Sequence, residues 1–230
     1  MGAPDYSQVY DIACQRKGGA KSLEALLPKT ASKQHLRQLG SDRYLAEFTR
    51  KIFQSGFVWR VVDKKWPKFE EVFWEFDIDR LLMMPDDMLE RKATDKGIIR
   101  NLSKVKTIRD NALMIKEAER REQRSFGDFI ASWPDDDVTG LWRYLKKHGS
   151  RLGGNTGPYA LRSLGVDTFL FTQDVEGFLR HHGIIDSGIT TMRALNAAQH
   201  FFNQLRQESN RSLAELSRLV AFCYGQNRVQ

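Results

Sequence analysis

The chain has 230 residues, of which 41% are hydrophobic and 28% charged, enough for one good-sized domain or two small ones. That composition excludes a disordered tail protein. Lys and Arg number 36 against 29 Asp and Glu, giving +7 and a pI near 9.4, which hints at a polyanionic partner or simply a basic solvated surface. Cys14 and Cys223, at opposite ends of the chain, form no disulfide framework and fit a reducing cytoplasm. No apolar run is long enough to span a membrane, and the N-terminus, with an early acid and no apolar core, does not read as a signal peptide. The expectation is a soluble intracellular protein.

Strand signals are scarce and helical periodicity recurs throughout. Residues 1–40 read as an N-terminal helical extension, joined to the body by a looser segment from Pro28 to Gly40. Ser41 is placed to cap a helix whose apolar positions are Tyr44, Leu45, Phe48, Ile52 and Phe53. A short helical segment around Val58, Val61 and Val62 is expected to end at Trp66-Pro67. Phe69, Val72, Phe73 and Phe76 form the next apolar face, and Pro85-Asp86-Asp87 opens a helix carrying Met88 and Leu89. Asn101 to Glu122 reads as one long helix with Val105, Ile108, Ala112 and Ile115 on its inner face. Arg100, Lys104 and Lys106 are either phosphate contacts or a solvated face. Further helices are expected near Phe126–Ser132, Val138–Lys147, Thr191–Gln207 and Ser212–Cys223, the last opened by a Ser212/Glu215 capping box. About ten helices make an all-α globule.

One stretch carries chemistry. A basic helix ends at His148-Gly149, a loop holds Gly153, Gly154 and Gly157, and Thr156 and Pro158 sit where a cap and a first-turn proline belong. From Val138 to Val166 there are five Lys and Arg residues (Arg143, Lys146, Lys147, Arg151, Arg162) and no acid. Glycines let backbone amides approach an anion, and the next helix offers its unpaired amides and positive dipole end, so the layout favours phosphate. Lys147 and Arg151 are the flanking cations expected to meet it. The first carboxylate afterwards is Asp167, suited either to stabilising positive charge on a sugar or to capping a turn.

The hairpin followed by Val166-Asp167-Thr168 resembles the helix-hairpin-helix DNA glycosylases. Residues Gln54–Asp77 and Asp95–Ala112, with a Gln-x-Gly-apolar-x-Trp turn and a Gly-Ile-Ile-Arg segment leading to Asn-Ala, resemble the 3-methyladenine DNA glycosylase I family. The resemblance covers roughly residues 41–222, with the hairpin at about 142–165. It implies an all-α helix-hairpin-helix glycosylase fold over 41–230, with the active-site cleft between two helical lobes. It also implies a cytoplasmic, nucleoid-associated enzyme, read as a monomer, that acts on damaged double-stranded DNA with no membrane partner. Such an enzyme flips an alkylated purine, of the 3-methyladenine kind, from the duplex and hydrolyses its N-glycosidic bond.

Carried over by position, Gln54, Gly56 and Trp59 line the base pocket, and Phe57 plugs the gap in the duplex. Gly153, Gly154, Asn155 and Thr156 hold phosphate, and Asp167 is the catalytic carboxylate. From the residues alone, Trp59 is as readily a core tryptophan and Gln54 a helix-end glutamine.

Three departures from the family pattern stand out. Lys51, one turn before Gln54, replaces the pocket glutamate that reads a methylated adenine, which opens a different lesion specificity or a non-catalytic damage sensor as alternatives. Cys14 and Cys223 lack a neighbouring His, and the five histidines give no metal signal, so no zinc and no other metal is expected. Asp167 restores the wider superfamily's aspartate. The hairpin residues Gly157, Pro158 and Tyr159 supply no nucleophilic lysine, which points to a monofunctional enzyme without cofactor, except a monovalent cation at the hairpin when DNA is bound.

Overall fold

The structure, a computed structural model, describes residues 2–225. Among the described residues there are fourteen α-helices, one turn of 3-10 helix and no strand. In chain order the helices are α1 (Tyr6–Arg16), α2 (Ala20–Glu24), α3 (Lys33–Gln38), α4 (Ser41–Gln54), α5 (Trp59–Val72), α6 (Ile78–Leu82) and α7 (Asp86–Ala93). There follow α8 (Leu102–Glu122), α9 (Phe126–Ala131), α10 (Val138–His148), α11 (Thr156–Ser163), α12 (Gln173–His181), α13 (Met192–Ser209) and α14 (Leu213–Phe222). The 3-10 turn, Trp74–Phe76, lies between α5 and α6.

The chain divides into two compact units. Of the described residues, the first comprises 2–31, Pro134–Gly140 and 165–225; the second comprises Ser32–Trp133 and Leu141–Leu164. In the first unit α1 packs on α13 and α14, and α14 also meets α12. Its core holds Val9, Ala13, Phe178, Leu216 and Phe222, with Phe169 stacked on Phe202 at 4.3 Å between ring centroids. A polar cluster secures α1 and α2 to the start of α14. Arg211 donates to the Tyr6 hydroxyl at 2.7 Å and reaches Glu24 and Glu215, while the Tyr10 hydroxyl donates to Glu24 at 2.8 Å. The Cys223 thiol donates to the Val9 carbonyl at 3.1 Å, and burial pushes its pKa up to about 12.

The expected boundary at residue 40 therefore differs from the one packing defines. Helices α1 and α2 are built into the first unit, and α3 packs on α9 in the second. The signal for this lies in the packing of α1, with Val9 and Ala13 fully buried, on α13 and α14 nearly two hundred positions away, which local periodicity does not report.

In the second unit α4 is the hub, packed against α5, α8, α9 and α11. Its Tyr44, Leu45, Phe48 and Phe53 are fully buried, as the periodicity requires. Two local expectations shift. Ser41 is the first helical residue rather than the cap: Gly40 holds the cap position, and the Ser41 hydroxyl donates to Glu119 instead. Pro67 does not end a helix, because α5 runs from Trp59 through it to Val72. An interior proline forfeits one backbone hydrogen bond, a cost of about 3 kcal/mol. Burial of Val62, Trp66, Phe69 and Val72 on one continuous face, with Trp66 stacked on Phe69 at 5.3 Å, outweighs it.

Helix α8 follows the sequence closely, with Asn101 as its cap and Val105, Ile108, Ala112 and Ile115 fully buried. The Ser212/Glu215 capping box is likewise present at α14. No helix of the described residues is long and apolar enough to cross a membrane.

Candidate active site

Two pieces build the candidate site: the hairpin, which lies in the second unit from Leu141 on, and the turn after α4. The hairpin is α10, a loop over residues 149–155, and α11. Pro158 lies in the first turn of α11 as expected, but the cap position belongs to Asn155 rather than Thr156. Asn111, fully buried on α8, clamps the loop: its Nδ2 donates to the Ser150 carbonyl at 3.1 Å, and the Ser150 amide donates to its Oδ1 at 2.7 Å. This gives the Asn-Ala pair of the long helix its physical meaning.

The loop turns through left-handed backbone at Arg151 and Gly154, both with φ of 59°. The Arg151 side chain donates to Ser103 Oγ at 2.6 Å. Gly157 allows close approach, because a Cβ there would lie 2.6 Å from the Leu152 carbonyl oxygen. Gly157→Ala is thus expected to destabilise the second unit by about 1–3 kcal/mol, seen as a lower melting temperature. An unchanged melting temperature would contradict the close packing.

The amides of Thr156 and Gly157 are used inside the hairpin, donating to Gly153 at 3.3 Å and Leu152 at 3.2 Å. Those of Gly153 and Gly154 make no hydrogen bond among the described residues. Of the amides expected to meet phosphate, these two remain open to an anion, whereas Thr156 retains its hydroxyl.

The second piece is the end of α4, the turn through Gly56 (φ 74°) and the start of α5. Lys104, read from sequence as a possible phosphate contact, is instead buried under this turn. Its Nζ donates to the carbonyls of Ser55 at 2.7 Å and Phe53 at 3.3 Å, so it binds the open carbonyls at the C-terminus of α4. Burial, and then Arg151, lower its pKa. Lys106 is exposed and paired with Glu90 at 3.3 Å, and Arg100 is exposed.

The turn presents Phe57, Val58, Trp59 and Val61 to solvent, with Trp59 50% exposed. Trp59 is therefore no core tryptophan. Its ring stands edge-on to Tyr159 of α11 at 5.9 Å.

Helices α4 and α11 pack together, and where they meet the turn lies a cavity of about 160 Å³ lined by Lys51, Gln54, Ser55, Trp59, Asn155, Thr156 and Tyr159. Lys51, Gln54 and Trp59 from one motif thus converge with Asn155 and Thr156 from the other, although about a hundred residues separate them. A polar chain forms the wall. Lys51 Nζ donates to Gln54 Oε1 at 3.0 Å, sits 3.3 Å from Glu47 Oε1, and lies 5.0 Å from the centre of the Trp59 ring. Gln54 Nε2 in turn donates to Asp63 Oδ1 at 3.0 Å, which fixes the orientation of its amide.

Tyr159 and the supporting carboxylates Glu47 and Asp63 were not legible as site residues. The available signal was helical spacing: Glu47 lies one turn before Lys51, and Tyr159 one turn after Thr156. Burial pushes the Tyr159 phenol pKa up from its ordinary value.

Asp167 belongs to the first unit. Its two carboxylate oxygens accept the amides of Leu213 at 3.1 Å and Ala214 at 2.9 Å, so it caps α14 across 46 residues of chain. The local helix has its own cap in Thr172, which accepts from the Val175 amide. Among the described residues no group of three or more His, Cys, Asp and Glu is arranged to hold a metal ion.

An all-helical chain with this two-helix hairpin has the helix-hairpin-helix DNA glycosylase fold. The solved 8-oxoguanine glycosylase/lyase of Methanocaldococcus jannaschii, in complex with DNA containing 8-oxoguanine, shares that fold over 94% of this chain and 96% of its own, at a TM-score of 0.53 and 15% identity. More narrowly, the chain belongs to the methyladenine glycosylase family, whose model matches residues 38–161. DNA-3-methyladenine glycosylase 1 of Escherichia coli (strain K12) is 32% identical over 80 residues, which make up 35% of this chain. The chain spans 42% of the length of that relative. A crystal structure of a 3-methyladenine DNA glycosylase I is 25% identical, at a TM-score of 0.47 over 57% of this chain and 82% of that one.

Proposed function

We propose that the protein is a monofunctional DNA glycosylase that flips a damaged purine out of duplex DNA and hydrolyses its N-glycosidic bond. The reading rests above all on the convergence of Lys51, Gln54 and Trp59 with Asn155, Thr156 and Tyr159 around one cavity. A base-binding turn and a phosphate-binding hairpin are useful together only if one nucleotide engages both. In this reading the Gly153 and Gly154 amides, with Lys147 and Arg151, hold the backbone, and a monovalent cation joins them when DNA is bound. Phe57 fills the gap left in the stack, and the extruded base enters the cavity against Trp59.

The bond between the sugar C1′ and the base nitrogen breaks with its electron pair going to the base. Water adds to C1′, and its proton leaves with the products. Asp167 is the carboxylate assigned to stabilise the positive charge on the sugar or to orient that water. No zinc or other cofactor takes part, and the enzyme works as a monomer in the cytoplasm. Family membership makes an alkylated purine of the 3-methyladenine kind the reference substrate.

A second reading, a DNA-damage sensor that cuts nothing, is favoured by one observation: both Asp167 oxygens already serve as a helix cap. Chromatography of bases released from methylated duplex DNA separates the two. Release supports the glycosylase, whereas structure-specific binding with no release from any lesion supports the sensor. Binding itself should weaken steeply with salt, and Lys147→Ala should reduce the slope of log K against log salt by about one. A slope unaltered by that change would remove Lys147 from the phosphate contacts.

A further inference from the structure

The cavity's chemistry narrows the substrate further, if the glycosylase reading holds. A cationic base, such as an alkylated purine carrying positive charge, is recognised by a carboxylate or by an open aromatic face. The cavity has no carboxylate in its lining, and its exposed indole is already shared with a cation. Glu47 and Asp63, the carboxylates paired with Lys51 and Gln54, are not among the lining residues. The cation at the indole is the Lys51 ammonium, 5.0 Å from the ring centre.

What the lining does offer is donors: the Lys51 ammonium and the hydroxyls of Ser55, Thr156 and Tyr159. Lys51 has three N–H groups; one is given to Gln54, and the contact with Glu47 at 3.3 Å is an ion pair, which leaves capacity for an acceptor in the cavity. Glu47 keeps the ammonium in place by charge, and helix α4 fixes both in register.

From this geometry we infer that the pocket takes a neutral purine on which damage has placed a carbonyl oxygen, such as a deaminated or oxidised purine, with Lys51 as the specificity-determining donor to that oxygen. The same contact has a chemical use. A cationic base leaves with little help, because the departing electron pair neutralises its charge. A neutral base gains negative charge as the C1′–N bond breaks, and a hydrogen bond from an ammonium to its oxygen stabilises that charge before the proton from water arrives. A Lys in the cavity wall therefore suits a neutral leaving base.

The test compares release of hypoxanthine from duplexes with one deoxyinosine against release of methylated purines from methylated duplex DNA, using the full chain. Binding to both duplexes is measured in parallel by fluorescence anisotropy. The wild type is expected to favour the deoxyinosine duplex, and Lys51→Gln to lower that preference by about tenfold or more, as loss of a charged hydrogen bond predicts. Lys51→Glu, which brings a carboxylate to the wall, should turn the preference toward the methylated bases. Should the second variant fail to fold, the first still decides.

Preferential release of methylated bases by the wild type overturns the inference and leaves the glycosylase reading intact. If neither base is released, the glycosylase reading fails. The pocket chemistry is then read from binding: a preference for deoxyinosine DNA that Lys51→Gln abolishes sustains it, and equal binding refutes it.

Discussion

Asp167→Asn is expected to lower base release by about two to four orders of magnitude while shifting the melting temperature by only a few degrees. The two effects have separate origins. As a cap, Asp167 gives one oxygen to each of two amides at the start of α14. Asparagine keeps one acceptor and turns its NH₂ toward the other amide, which costs about 1–2 kcal/mol. The Ser212/Glu215 capping box remains to hold the same helix end, so the unit should stay folded. As a catalyst, the carboxylate supplies the negative charge that an oxocarbenium-like sugar requires, and a neutral amide of nearly the same shape supplies none. Loss of activity far beyond the loss of folded protein would assign Asp167 to the chemistry. Base release that falls only in step with stability would leave Asp167 as a cap and place the catalytic role elsewhere in the glycosylase.

The second large effect concerns Asn111. Asn111→Ala should destabilise the second unit by about 2–4 kcal/mol, and DNA binding should fall with it. The side chain is fully buried and makes both of its hydrogen bonds to one residue, Ser150, through that residue's amide and carbonyl. Truncation leaves those two partly buried backbone groups without their side-chain partner, and it leaves a gap besides. For a chain of this size the melting temperature should drop by roughly 4–15 °C. Because the clamped residue opens the loop that carries Gly153 and Gly154, salt-sensitive DNA binding should weaken even under conditions where the variant is fully folded. A variant that loses stability but binds DNA like the wild type would show that the clamp supports the fold alone.

Much of this molecule is written locally. The 3.6-residue spacing of Tyr44, Phe48, Ile52 and Phe53, or of Val105, Ile108, Ala112 and Ile115, fixes which faces are buried, because an amphipathic helix has only one way to hide its apolar stripe. Capping chemistry marked the start of α14 for the same local reason. The glycine loop and its acid-free flanks marked the hairpin, since those residues are used where backbone must turn sharply near an anion. Where local rules misled, packing over distance was the cause. Pro67 was read as a stop, yet stacked Trp66 and Phe69 carry α5 through it. Lys104 was read among surface cations, yet its charge is spent inside on the carbonyls that close α4.

Composition began with an excess of seven positive charges and no indication of what they meet. The sequence by itself determined the helical class, the hairpin, and the concentration of cations around it, because each depends on residues close together in the chain. Tertiary structure decided how those pieces are used. It brought Lys51, Gln54 and Trp59 to one cavity with Asn155, Thr156 and Tyr159, left two loop amides open, and set Asp167 on the amides of a helix 46 residues away. Such meetings depend on which helix faces pack together, a property of the whole fold that no local pattern of residues encodes.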